Sequence, residues 1–318
     1  MKRDTRNRPL GILALVPLLV MGACSSGSSG GTPTTSQPPP VTPEPAVVST
    51  TPPKPPVEIP TCDPVAIPAF AATNFSNPTK VDNPWMTLVP GTRVVLEGRA
   101  NRGGGTLPHR ITFTVTDLVK VINGVPNVVN WDVDMNEGQL AEAELAFFAQ
   151  DNDGNVWNFG EYPEEYTNGK FTGAPSTWFA GTSKAAAGVQ VPAETRIGKA
   201  EVLQGSAPDV EFLDCAKDVK TGEKVCGPLG CYENVRAVDE RSPLDPASGV
   251  QRKFYAPGTG NVRVEAVGDP EGETLVLVER TTLSPQELAK AREEAMKLDK
   301  HGRQVHPVYQ GTESLQGP

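Results

Sequence analysis

Apolar and polar residues alternate along most of the chain between residues 111 and 283. In "ITFTVTD", the apolar residues Ile111, Phe113 and Val115 are separated by threonines, and this period of two predicts a strand with one buried and one polar face. The stretches "YENVRAVDE", "QRKFYAPGTGNVRVEAV" and "ETLVLVERTTL" repeat the pattern between clusters of Gly, Pro and Asp. The sequence therefore predicts a mainly β domain built as a single antiparallel meander.

One segment has the pattern of a helix instead. In "SPQELAKAREEAMKLDKHG", Ser284 is the expected N-cap, Pro285 the first helical residue and Glu287 the capping-box partner. Gly302 is expected to end this helix. A narrow apolar stripe follows the helical period and predicts that the helix lies on the surface of the sheet; the stripe consists of Leu288, Ala291, Ala295 and Leu298.

The N-terminus has the layout of an export signal. Basic residues precede the apolar run "LGILALVPLLV", which is too short to span a bilayer as a permanent helix. The next residues, "MGAC", resemble the lipobox of bacterial lipoproteins, in which the thiol of the cysteine, here Cys24, is alkylated with diacylglycerol; Met21 stands where Leu is usual. Residues 1–23 are predicted to be a lipoprotein signal peptide, with an ordinary cleaved signal as the alternative. Two acyl chains, such as palmitate, suffice for stable membrane anchoring.

The remaining chain divides by composition. Residues 24–60 are rich in Gly and Ser and then in Pro and Thr, which predicts a disordered tether. One β-rich extracytoplasmic domain is expected over residues 61–283, followed by the helix over 284–301 and a tail over 302–318. Removal of the signal peptide lowers the net charge from −9 to −12, because four basic residues and Asp4 leave with it. This charge argues against nucleic acid as a partner and leaves the lipid as the membrane attachment.

Four cysteines follow Cys24, and an even number in an exported protein indicates disulfide bonds. "CGPLGC" can close on itself because its glycines and proline favour a turn, so Cys226 is predicted to pair with Cys231. By elimination, Cys62 is then predicted to pair with Cys215. The alternative is a zinc site with four thiolate ligands, although the paired CxxC motifs that such sites favour are missing from the sequence.

The stretch "NWDVDMNEGQLAEAEL", residues 130–145, concentrates carboxylates around a turn. A three-residue loop over 136–138, with Gly138 in the left-handed position, would pair Asp132 with Glu142. A two-residue loop is rejected because it would place glutamates beside apolar partners, which buries charge. The predicted register gathers a candidate cation or ligand site on one face, formed by Asp132, Asp134, Glu142, Glu144 and Phe148.

This acidic face is expected to be solvated, because water screens the repulsion between Asp132 and Glu142. The alternative is a weak site for a divalent cation such as calcium, which would offset the same repulsion. No other cofactor is expected. Whether the carboxylates form a binding site or a wet surface is the main functional question that the sequence raises.

A second hairpin follows in "LAFFAQDNDGNVWNFGE". A turn over residues 152–154 is predicted to pair Phe147 with Phe159 and Ala149 with Trp157. "DNDGN" also suggests a calcium loop, but the residues after it lack the glycine and the glutamate that such a loop requires. The face opposite the carboxylates is then the predicted core, formed by Val129, Trp131, Val133, Leu145, Phe147, Trp157 and Phe159.

Little else in the sequence suggests a reaction centre. His109 is the sole histidine in the strand region, and it is expected to be a solvated side chain at a strand edge, because no nucleophile motif accompanies it. "EYPEEYTNGKF" places Glu161, Glu164 and Glu165 among aromatic residues. It is interpreted as an acidic surface loop pinned by buried tyrosines, with a platform for sugar or peptide as the alternative.

Five segments, which span most of residues 74–283, carry a resemblance to known proteins: "FSNPTKVDNPWMTLVPGTRVVLEG", "HRITFTVTDLVKVINGV", "GQLAEAELAFFAQDNDGNVWNFGEYPEEYTNGKF", "GAPSTWFAG" and "QRKFYAPGTGNVRVE". They resemble a family of secreted or lipid-anchored bacterial proteins with β-rich lipoprotein domains. The first and last segments are similar to the ends of domains that curl into a half-barrel, so the resemblance implies a half-barrel-like fold. It implies no activity and no catalytic residues.

These features predict an extracytoplasmic lipoprotein, anchored to a bacterial membrane, that acts as a non-catalytic binding or interaction module of the cell envelope. One alternative is a carboxylate-based or metal-assisted hydrolase of envelope glycan, and another is a purely structural surface protein. A deep cleft in which Asp132 or Glu142 faces an aromatic floor would favour ligand binding or hydrolysis. A flat, open acidic face would favour a structural role.

Overall fold

Twelve antiparallel strands close into a β-barrel in the computed structural model, which describes residues 61–62, 70–101 and 105–318. The predicted signal peptide, Cys24 and the tether lie outside the described residues. In chain order, the strands of the described part are β1 (Val81–Asn83), β2 (Met86–Leu88), β3 (Thr92–Asn101), β4 (Thr106–Ile122), β5 (Val125–Asn136), β6 (Gln139–Gln150), β7 (Val156–Thr167), β8 (Lys170–Gly173), β9 (Trp178–Phe179), β10 (Ala186–Val191), β11 (Val202–Ala207), β12 (Phe212–Gly227), β13 (Gly230–Arg241), β14 (Val250–Ala256), β15 (Gly260–Val267) and β16 (Thr274–Thr282).

The barrel wall runs from β10 through β16 and continues from β3 to β7. Strand β7 then pairs back onto β10, where Trp157 lies opposite Val189, and this pairing closes the barrel. Strand β16 joins β3 through the pairing of Leu277 with Leu96. The predicted half-barrel is therefore wrong, although the chain is mainly β and antiparallel. The β7–β10 and β16–β3 pairings both connect strands that are distant in sequence, so no local sequence pattern predicts them.

The largest apolar core lies on the outer face of the barrel wall. Leu145, Phe147 and Phe159 are fully buried there and pack in one cluster with Ala295 and Leu298. The last two residues belong to the C-terminal helix α1 (Pro285–Val305), which is followed by the short helix α2 (Pro307–Gln310). The face that the sequence predicts to be core is thus covered by the helix, outside the barrel.

Helix α1 begins as predicted and ends later than predicted. The Ser284 hydroxyl accepts a hydrogen bond from the backbone N–H of Glu287, and the Glu287 carboxylate accepts one from the backbone N–H of Ser284, which completes the capping box. The helix continues past Gly302 to Val305. A side chain at position 302 would place its Cβ 2.7 Å from the ring of Tyr162, so glycine allows close packing of the helix rather than ending it.

The C-terminal segment is tied to the barrel by a buried lysine. The Nζ atom of Lys120, on β4, lies 3.3 Å from Oδ1 of Asp299 and donates to the backbone carbonyl of Glu313 at 2.6 Å. The hydroxyl of Tyr309 donates to the same Asp299 oxygen at 2.7 Å. Burial lowers the pKa of Lys120 to about 8, although the charge of Asp299 opposes this effect.

Two disulfide bonds join the cysteines in the arrangement that their spacing favours. Cys226 is bonded to Cys231 at the tip of the β12–β13 hairpin. Cys62 is bonded to Cys215 on β12, across a sequence separation of 153 residues. The second bond fixes the start of the described domain to the barrel wall.

The turns after β4 and β6 form where the sequence predicts them. Asn123 and Gly124 form the predicted tight turn between β4 and β5, with φ values of 50° and 79°. In the turn after β6, the Asp151 carboxylate accepts hydrogen bonds from two backbone N–H groups and from the side chains of Asn155 and Trp157. The "DNDGN" segment is therefore held by its own hydrogen bonds.

Within the described part of the chain, no helix is long and apolar enough to cross a membrane.

Candidate ligand-binding site

The predicted acidic face points into the barrel. Asp132, Asp134, Glu142 and Glu144 are only 7%, 3%, 2% and 3% exposed. They line a cavity of about 60 Å³ together with residues of β3, β4, β14, β15 and β16, which lie on other parts of the wall. The prediction of a solvated face is therefore wrong. Closure of the sheet encloses the polar face that an open meander would expose to water.

Two carboxylate pairs lie opposite each other on β5 and β6. Asp132 faces Glu144, and Asp134 faces Glu142. The predicted pairing of Asp132 with Glu142 is therefore wrong by two residues, because the loop has two residues, Glu137 and Gly138, both with positive φ, instead of the predicted three. A bulge beside Asp134 restores the alternation of the side chains. The four carboxylates consequently share one face, as the alternating pattern predicts.

The second hairpin contains a bulge that the sequence does not indicate. Ala149 pairs with Trp157 as predicted, but Phe147 lies opposite Gly160 instead of Phe159. The bulge shifts which residues of β7 face the interior. The predicted acidic surface loop is for the most part this strand, β7, in which Glu161 and Glu164 are buried and Glu165 is half-buried.

The barrel interior also contains charged residues whose position the sequence pattern does not predict. Glu161 on β7 and Asp214 on β12 are 1% exposed and interact electrostatically with each other. Lys253 on β14 forms an ion pair with Glu240 on β13, with 2.6 Å between Nζ and Oε2. The inward position of Glu161 depends on the bulge, and the other three residues meet the acidic face only because the barrel closes. In the sequence, the one local sign of this buried charge is that Lys253 and Glu240 stand on strands otherwise rich in apolar residues.

Burial changes the acidity of these groups. It raises the pKa of Asp132, Glu142 and Glu144 well above the ordinary carboxyl range, and repulsion from neighbouring carboxylates, Glu161 among them, adds to the rise. Burial also raises the pKa of Glu161 to about 7, although two hydrogen bonds oppose it. A low-dielectric interior disfavours the ionised acid, so the interior favours protonated carboxyl groups.

His109 is part of the interior, contrary to the prediction of a solvated side chain. Its side chain is fully buried. Nδ1 lies 2.7 Å from Oδ1 of Asn136 and 3.3 Å from Oδ1 of Asp134, and Nε2 lies 3.0 Å from Oε1 of Glu273. Burial alone would lower the pKa of His109, but the hydrogen bond to Glu273 and the charges of Asp134 and Glu273 outweigh it, so the net shift is upward. Both ring nitrogens of His109 therefore already contact polar side chains of the protein.

Glu164, from the same acidic segment, lies at a different place. Its carboxylate accepts hydrogen bonds from the hydroxyls of Tyr162 and Tyr166 and contacts Nδ1 of His301 on α1 at 2.6 Å. Phe171 packs against the His301 ring, with 4.8 Å between ring centroids. These side chains bind one another and help to attach α1 to the barrel wall, so the segment offers no open stacking platform.

A larger cavity of about 140 Å³ adjoins the acidic one. Its polar side chains are those of Asn130, Asp132, Gln190, Lys253, Asn261 and the threonines Thr87, Thr92 and Thr259, and the exposed Arg280 also lines it. Asp132 and Lys253 line both cavities. The remaining wall is mostly apolar and includes Trp85, Met86, Leu88, Val94, Leu96, Phe113, Val115, Phe148 and Tyr255. We call this space the mouth cavity; Phe148, predicted to accompany the carboxylates, is part of its wall.

The described residues contain no group of three or more His, Cys, Asp or Glu side chains placed to hold a metal ion. The calcium site therefore stays a prediction without a preformed ligand set. The acidic cavity of about 60 Å³ has room for only a few water molecules, so a sugar ring does not fit between its carboxyl groups. Glycosidase carboxyls must stand on either side of a sugar ring.

Comparisons with known proteins add two distant similarities. No protein-family model matches the chain, and no curated protein matches it. A predicted exported protein with a YmcC-like fold from Bacteroides fragilis is 14% identical, with a TM-score of 0.35 over 61% of this chain and 96% of the other. A predicted lipoprotein from Parabacteroides distasonis is 17% identical, with a TM-score of 0.29 over 62% of this chain and 98% of the other. Both similarities are too low to carry a functional argument, so function has to be argued from the site.

Proposed function

We propose that this chain is a lipid-anchored extracytoplasmic protein that binds a small ligand with an apolar body in its mouth cavity. The observation that carries the proposal is the composition of that cavity. About 140 Å³ of space is walled in large part by aromatic and aliphatic side chains, and the amide or charged side chains of Asn130, Asp132, Gln190, Lys253 and Asn261 also line it. Small-molecule sites typically combine an apolar wall with a few placed polar groups.

The size of the mouth cavity limits the ligand. An apolar cavity of roughly 150 Å³ accommodates a molecule the size of benzene. The mouth cavity, at about 140 Å³, therefore fits a short alkyl chain or a single ring. Burial of a six-carbon chain contributes roughly 0.8 kcal/mol per methylene group, which is enough for measurable binding.

The proposed location follows from the sequence and agrees with the disulfides. The apolar run before Cys24 has the layout of a lipoprotein signal. Both disulfide bonds belong to a type that persists in oxidising, extracytoplasmic compartments. Replacement Cys24→Ser should move the protein from the membrane fraction to the soluble fraction or block its processing. Unchanged detergent-dependent partitioning would contradict the lipid anchor.

Ligand binding can be tested with six-carbon compounds that differ only in their head group: n-hexylammonium, 1-hexanol and hexanoate. We expect at least one of them to bind in isothermal titration calorimetry. Thr259, a half-buried residue of the β14–β15 turn, lines the mouth cavity, so Thr259→Trp should fill the opening and abolish binding. Thr221→Trp, an exposed position of β12 that does not line the cavity, is the matched control and should bind normally. If no compound binds the wild type, or if both variants behave alike, the proposal is wrong.

A further inference from the structure

The polar end of the mouth cavity has a marked excess of acids. Asp132 lies where the two cavities meet, and Glu142 and Glu144 line the space beyond it. The basic groups of the interior are already engaged: Lys253 with Glu240, and His109 with Asp134 and Glu273. A ligand in the apolar part of the mouth cavity therefore lies beside a space in which carboxyl groups outnumber basic groups.

Unpartnered atoms at this end of the cavity are hydrogen-bond acceptors. Oε2 of Glu142 and Oε1 of Glu144 are buried and make no hydrogen bond within the protein, and the same is true of Oδ1 of Asn130 and Oε1 of Gln190. All four residues are more than nine-tenths buried. Each of them lines the acidic cavity or the mouth cavity. Buried acceptors without partners favour a ligand that supplies donors.

An organic ammonium group fits this arrangement better than a metal ion does. A divalent cation requires several oxygen ligands that converge on one point, and the described residues contain no such group. An ammonium group has three N–H donors that can reach acceptors on different strands. A short alkyl body attached to it would occupy the apolar part of the mouth cavity.

We propose that the ligand is a small primary amine, bound as its ammonium ion between Asp132 and Glu144, with its apolar body in the mouth cavity. This inference rests on the proposed function of the cavity and names its ligand class. Burial raises the pKa of Asp132 and Glu144, whereas a bound ammonium ion favours their ionised form, so we expect binding to release protons. Affinity for the amine should therefore increase as the pH rises from 5 toward 8, while the amine itself stays protonated.

The test compares the three six-carbon compounds on the full-length protein by calorimetry. We expect n-hexylammonium to bind about tenfold or more tightly than 1-hexanol, since hydrogen bonds to charged groups are the strong ones, and hexanoate to bind most weakly. Titration in two buffers with different ionisation enthalpies should show net proton release for the amine and none for the alcohol. Equal binding of amine and alcohol, or a preference for hexanoate, would overturn the inference and leave the mouth cavity as the binding site.

Single substitutions test whether Asp132 and Glu144 bind the ammonium group. Asp132→Asn and, as an independent variant, Glu144→Gln should each weaken amine binding about tenfold and leave 1-hexanol binding unchanged. Asp153→Asn, at an exposed position of the β6–β7 turn, is the control and should bind the amine normally. If both interior variants fold and bind the amine as the wild type does, the assignment is wrong. If none of the three compounds binds the wild type at all, the proposed function fails together with the inference.

Discussion

Replacement of Glu161 by glutamine should change the pH dependence of stability in a defined way. Glu161 is 1% exposed, and burial raises its pKa from 4.5 to about 7. Between these values the unfolded chain releases the proton while the folded protein keeps it, so rising pH favours unfolding. Below 4.5 both states are protonated, and above 7 both are ionised, so the destabilisation develops only between the two pKa values.

The size of the effect follows from the two pKa values. A difference between 4.5 and about 7, at about 1.4 kcal/mol per pH unit, gives about 3 kcal/mol of stability lost across the window. Asn158 donates to Oε1 of Glu161 at 2.6 Å, and the Trp178 indole N–H donates to Oε2 at 3.4 Å. Glutamine can accept only one of these hydrogen bonds, which costs about 1 kcal/mol at every pH. The variant therefore starts less stable at pH 4.5 and should become more stable than the wild type near pH 7.

Urea denaturation of both proteins at pH 4.5, 5.5, 6.5 and 7.5 measures this difference. Glu194→Gln, at an exposed position, is the control and should give a pH profile parallel to that of the wild type. A Glu161→Gln profile that also runs parallel to the wild type would refute the assignment of Glu161 as a buried acid that keeps its proton.

Four further predictions concern the scaffold. Asp151→Ala removes the acceptor of four hydrogen bonds and should lower the free energy of unfolding by about 2–4 kcal/mol in urea. Lys120→Ala removes one partner of Asp299, which keeps Arg303 and Tyr309, and should cost about 1–3 kcal/mol, with faster hydrogen exchange in α1. Gly188→Ala places a Cβ 2.3 Å from the backbone carbonyl of Leu203 on β11 and should force β10 away from β11, seen as a lower melting temperature. Ser284→Ala removes the capping box and should cost about 1 kcal/mol; no change in melting temperature would contradict it.

Features that depend on neighbouring residues follow directly from the sequence. The capping box between Ser284 and Glu287 and the bond between Cys226 and Cys231 involve residues three and five positions apart. The tight turn at Asn123 and Gly124 is equally local. Each is fixed by the geometry of a short piece of chain, which is why the residue types and their spacing are sufficient to predict it.

The acidic hairpin shows how far strand patterns can lead. Alternation with a period of two places Asp132, Asp134, Glu142 and Glu144 on one face whichever even register the strands adopt. The register itself was mispredicted, because a two-residue turn together with a bulge gives the same alternation as the predicted three-residue turn. The bulge in the second hairpin, which changes the partner of Phe147, has no comparable signal.

The sequence by itself determined that the two faces of the sheet differ, one apolar and one acidic, because side chains alternate along every strand. It also determined the export layout, the disulfide spacing and the start of the C-terminal helix. Only the tertiary structure decided which face meets solvent. Closure through the β7–β10 pairing encloses the acidic face, and α1 covers part of the apolar face from outside. A strand pattern reports the contrast between two faces, but burial depends on contacts with residues far away in the chain.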